Sequence, residues 1–152
     1  MGKFDLRIHG GTTQYELPHL VKYVRRFGWG TEVEQEPGTD NWFHIAIPTL
    51  KKQEDVLLLY DFTYLKAHRA SGNISNVIAL IDRVHIWDGA TKRIFADDNV
   101  SFPYGSFKFW SLPHTLIAEG MNMSIHVTWY QQSGDNRGKI TFSSAGAGFE
   151  EY

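Results

Sequence analysis

The chain has 152 residues, enough for one domain spanning 1–152 whose core needs no disulfide or structural metal to hold it together. Cysteine is absent, which excludes thiol nucleophiles, zinc–thiolate sites, iron–sulfur clusters and a disulfide-stapled scaffold. A formal charge of −2 with both signs interspersed leaves no basic stripe for nucleic acid, and no apolar run approaches the ~18 residues of a membrane helix.

At the N-terminus Phe4, Leu6 and Ile8 share one face of a strand and Lys3, Asp5, Arg7 and His9 the other, until Gly10-Gly11 ends it. That alternation is unlike the apolar core of a signal peptide, so a cytoplasmic location is expected and the N-x-S sequons at Asn73, Asn99 and Asn122 are read as coincidence. From Pro18, the residues Leu20, Val21, Val24 and Phe27 fit a short helix capped by Gly28, while Tyr23 and Phe27 fit a strand equally well. Trp29, Thr31 and Val33 alternate with Glu32 and Glu34. Pro37-Gly38 then predicts a hairpin into Trp42–Ile47, with Phe43, Ile45 and Ile47 inward.

Lys51–Asp55 reads as a solvated loop, and Val56–Leu65, apolar on both parities, as a strand covered on both faces. Ile74–Trp87 is too long for one regular strand, so a bulge or bend is expected near Asp82. Asp88-Gly89 turns the chain into Lys92–Ala96, with short strands at Val100–Phe102 and Phe107–Trp110. Met121, Met123, Ile125, Val127 and Trp129 give the cleanest alternation, opposed by Asn122, Ser124, His126, Thr128 and Tyr130. The turn at 133–138 then leads to Lys139–Ser144. Many short strands with frequent turns and no βα alternation predict an all-β, two-sheet antiparallel sandwich of Greek-key or jelly-roll type, with a closed β-barrel as the alternative.

Motifs with a mechanism are absent: no G-x-S-x-G elbow, no H-E-x-x-H helix, no EF-hand loop. Gly134–Ile140 misses the phosphate-loop spacing by one residue and lacks its Ser/Thr. No cofactor is expected. Seven histidines include no H-x-H pair, so no metal site is expected either. Asp82 shares parity with Ile78, Leu80, Val84 and Ile86; it is either a functional buried acid or is returned to solvent by a bulge.

One pattern points to a ligand. Trp42 and His44, His85 and Trp87, and His126 and Tyr130 each place polar and aromatic rings on the side of a strand opposite its apolar face. In neighbouring strands they form a patch suited to a sugar, an aromatic small molecule or a protein partner.

Five segments carry a family resemblance: Ile8-His9-Gly10; Arg26-Phe27-Gly28-Trp29-Gly30-Thr31; Asn41-Trp42-Phe43-His44 through Ile47-Pro48-Thr49; Val84-His85-Ile86-Trp87-Asp88-Gly89; and Phe142-Ser143-Ser144-Ala145-Gly146 through Phe149. In these the chain resembles a family of small bacterial β-sandwich proteins built on an uncharacterised domain. The resemblance implies the sandwich and carries no activity, cofactor or catalytic residue. The leading functional reading is a non-catalytic binding module. Its rivals are a small cofactor-independent cyclase, isomerase or lyase for an apolar metabolite, with Asp82 and His85 as acid–base candidates, and a self-associating homo-oligomer.

Overall fold

The computed structural model describes residues 3–49 and 58–151. Eleven strands follow one another: β1 (Lys3–His9), β2 (Gln14–Tyr15), β3 (Val21–Phe27), β4 (Gly30–Gln35), β5 (Thr39–Ile47), β6 (Leu58–Ala70), β7 (Val77–Asp88), β8 (Lys92–Asp97), β9 (Phe107–Thr115), β10 (Met121–Gln131) and β11 (Lys139–Glu151). They form two antiparallel sheets. The first runs β3-β4-β11-β6-β9, with β1 beside β11 beyond the end of β4; the second runs β2-β5-β10-β7-β8. The sheets stay open at their edges, so this is a sandwich and not a closed barrel. Among the described residues there is no α-helix, and none long and apolar enough to cross a membrane.

Inward-facing residues of both sheets make one core. Met121, Met123, Ile125, Val127 and Trp129 of β10 are buried as the alternation requires, and meet Val33, Ile140 and Phe142 of the other sheet. Within it, Phe43 lies 5.0 Å from Phe142 and 6.1 Å from Trp129, ring to ring.

Several local expectations change. The Pro18–Phe27 segment is a 3₁₀ turn (Pro18–Leu20) followed by β3, because pairing with β4 takes up its backbone groups. Trp29 sits in the β3–β4 turn, 63% exposed and stacked on Phe27, outside the core alternation. Val100–Phe102 is irregular chain packed on the core. Pro37-Gly38 makes no hairpin: β4 belongs to the first sheet and β5 to the second, so this turn bridges the sandwich. The turn after β10 does the same. Lys51–Asp55, and Val56–Leu57 of the expected Val56–Leu65 strand, lie outside the described residues.

Two buried carboxylates tie loops down. Asp88 accepts hydrogen bonds from the backbone N–H groups of Ala118, Glu119 and Gly120 at 2.9, 2.8 and 3.1 Å. Glu34 accepts from Ile74 N–H at 2.8 Å and from Asn73 Nδ2 at 3.3 Å. The Trp-Gly-Thr segment is structural too: a Cβ on Gly30 would stand 2.2 Å from the Phe142 carbonyl oxygen, and Thr31 Oγ1 donates to Gly10 O at 2.9 Å.

Candidate functional site

Antiparallel register builds a grid on the outer face of the second sheet. β10 runs between β5 and β7, so its outward residues from Asn122 to Thr128 have a neighbour on either side. Asn122 lies between Ala46 and Trp87, Ser124 between His44 and His85, and His126 between Trp42 and Arg83. Trp42 is the hub: its ring lies 5.0 Å from that of His85 and 4.9 Å from that of His126.

Above this grid is an open cavity of about 390 Å³, lined by Trp42, His44, His85 and Trp87 together with Glu16, Asn122 and Ser124, and bounded by the Gly89-Ala90 turn. Of the six ring residues expected to cluster, these four share the cavity. His126 packs beneath Trp42 and is 5% exposed. Tyr130, 45% exposed, lies apart in a second groove with Pro37, Asp40 and Thr128.

The polar groups are held in place. Asn122 Nδ2 donates to Ser124 Oγ at 3.1 Å, Ser124 Oγ lies 2.9 Å from His44 Nδ1, and His44 Nε2 donates to Glu16 Oε1 at 2.7 Å. His85 Nε2 donates to Asp98 Oδ1 at 2.7 Å. That hydrogen bond holds the Asp98 carboxyl below its ordinary pKa, against the opposing effect of burial. Ser, His and Glu are the types used in hydrolytic triads, but Ser124 is 4% exposed and meets Nδ1, with the acid on Nε2, the reverse of the usual order. The chain of bonds orients Asn122 and Glu16 toward the cavity and covers the hydroxyl.

Asp82 is the extra residue of a β-bulge. Val127 pairs with Ile81 and His126 with Arg83, so Asp82 has no opposite number on β10. The bulge returns it to the outer face and reverses parity upstream: Val77, Ala79 and Ile81 point inward, whereas Ile78 and Leu80 do not share the face of Val84 and Ile86. Its carboxylate accepts from His126 Nδ1 at 2.5 Å and Thr128 Oγ1 at 2.6 Å. Burial works to raise the Asp82 pKa, yet these bonds and the neighbouring His126 and Arg83 charges outweigh it and leave the carboxyl below its ordinary value. Asp82 does not line the cavity; of the two acid–base candidates, only His85 does.

Sequence reasoning did not assign Glu16, Asn122 or Ser124 to the site. Asn122 and Ser124 were legible on the outward parity of β10. Glu16 has no sequence signal, since only the β2–β5 pairing brings it to His44.

No family model matches the chain, and neither does any curated protein. Among solved structures the fold is similar to that of a low-affinity xylan-binding module, CBM86, from the xylanolytic gut symbiont Roseburia intestinalis. The TM-score is 0.51 at 6% identity, over 98% of this chain and 96% of that one. At that identity the likeness speaks for the fold alone.

Proposed function

We propose that this protein is a non-catalytic carbohydrate-binding module whose site is the cavity on the outer face of the second sheet. The observation that carries the reading is the pairing, in one open cavity, of two tryptophans with a fixed set of hydrogen-bonding groups: Trp42 and Trp87 with Glu16, His44 and Asn122. A pyranose presents C–H faces that stack on indole and hydroxyls that meet carboxylate, amide and imidazole, so it uses both halves of this lining. The covered serine and the absence of Asp82 from the cavity favour holding a ligand over transforming it. The likeness in fold to a xylan-binding module supports the same reading and makes xylan the first probe.

The test is affinity electrophoresis and calorimetry on xylan and a panel of other neutral polysaccharides. Retardation by at least one polymer is expected, with Trp42→Ala or Trp87→Ala each losing about 1–3 kcal/mol of binding, as for buried anchor rings elsewhere. Trp29→Ala, which removes an exposed ring in the β3–β4 turn of the first sheet, outside the cavity lining, should leave binding unchanged. No retardation by any polymer, or an equal loss in Trp29→Ala, would overturn the assignment.

A further inference from the structure

The first sheet carries a different cluster on its own outer face, independent of the carbohydrate reading. Asp61 of β6, His114 of β9 and Glu150 of β11 each offer a ligand atom, and these atoms lie within 4.8 Å of one another. His114 Nε2 is already 3.4 Å from Asp61 Oδ1.

Two irregularities bring them together. Tyr60 pairs with Phe149 and Thr115, and Phe62 with Gly148 and Ser111, so Asp61 has no register partner on either side. Opposite that single residue, β9 spends three: Leu112, Pro113 and His114. Tyr60 and Thr63 both point inward, and the bulge adds an outward position between them for Asp61 alongside Phe62. Glu150 reaches the same place by ordinary alternation, one residue after the inward Phe149. The absence of an H-x-H spacing could not reveal such a site, because each strand supplies one ligand.

We propose that Asp61, His114 and Glu150 form a site for a divalent cation, Zn²⁺, with solvent completing its coordination. Donors at ~2.0–2.2 Å around a tetrahedral zinc stand about 3.3–3.6 Å apart, which the His114–Asp61 spacing already matches. With all three ligand atoms within 4.8 Å of one another, Glu150 has to close by no more than about 1.5 Å, within reach of a rotamer change. One imidazole with two carboxylates favours zinc over Ca²⁺ or Mg²⁺, which take oxygen ligands. Lys3 Nζ stands 3.8 Å from Glu150 Oε2, but its side chain is 74% exposed and such a pair yields readily to a dication. The bound ion ties edge strand β9 to β6 and β11, adding stability to a fold that is complete without it.

The test uses the whole chain stripped with chelator and then titrated with ZnCl₂, followed by calorimetry and thermal melting, with CaCl₂ in parallel. One zinc per chain is expected, with Tm raised by about 5–10 °C when free zinc is a hundredfold above Kd. His114→Ala and Glu150→Gln should each weaken zinc binding at least about tenfold. Both side chains lie on the outer face, so the zinc-free Tm should hold within about 2 °C. No zinc-dependent shift in the unaltered protein would overturn the proposal. So would a shift that persists in both variants, which would place zinc on another pair such as His44–Glu16, or calcium binding equal to that of zinc.

Discussion

Individual side chains divide by parity, and that division has measurable consequences. Trp129 is fully buried and its Nε1–H donates to Gly138 O at 2.7 Å, so Trp129→Ala should cost roughly 3–5 kcal/mol in a denaturant melt. Trp42 and Trp87, both half-buried on the outer face, should cost about 1 kcal/mol each. If either outer-face variant destabilises as much as Trp129→Ala, that ring is structural and the binding face loses its basis. Asp88 gives a second prediction. Burial works to raise its carboxyl pKa, but the hydrogen bonds from Ala118, Glu119 and Gly120 and the charge of Lys92 outweigh it, leaving the group below its ordinary value. A carboxyl depressed in the folded state contributes stability above its unfolded pKa of about 3.9, and that stability is lost as pH falls through the folded value. Asp88→Asn should therefore cost about 1–3 kcal/mol at neutral pH and flatten the loss of stability below about pH 4. An unchanged acid slope would show that other carboxylates carry it.

At the scale of the element, the bulges decide which way side chains face. Ile81 and Val84 both point inward, and Asp82 is the residue that accommodates the slip. A variant lacking Asp82 restores plain alternation on β7 with every core residue still inward. It should fold cooperatively, about 1–3 kcal/mol less stable for the bonds lost to His126 and Thr128. A variant lacking Ser124 instead breaks the alternation of central β10, turns half of its apolar face outward, and should show no cooperative melt. Equal damage from the two deletions would mean that the bulge is not a separable insertion. The irregularity near Asp82 was legible because fourteen residues with one misplaced acid outrun a regular strand. The one at Asp61 was not, because Val56–Leu65 is apolar on both parities and a slip leaves no trace in its pattern.

Across the whole molecule, what the sequence could convey was the strands and their inward faces. Period-two patterning located β1, β5, β7, β10 and β11, together with the four cavity rings, since each of these depends only on local alternation. It could not convey which sheet each strand joins. Pro37-Gly38 has the chemistry of a hairpin turn, yet it leads from one sheet to the other, because turn residues fix a local reversal and the partners are chosen by distant packing. Among the described residues, only β3–β4 and β7–β8 pair as sequence neighbours. Glu16 illustrates the same limit within the site: it stands 28 positions from His44 and is delivered by a two-residue strand.

The irregular stretch of β9 has one more effect. β9 is the outermost strand of its sheet, and an outer strand with free N–H and C=O groups invites another chain to add itself. The Leu112–His114 bulge breaks the flat run of those groups, and Pro113 has no N–H to offer. Where many copies crowd along one polymer, as the proposed function implies, their sheets are thereby discouraged from joining edge to edge into an aggregate.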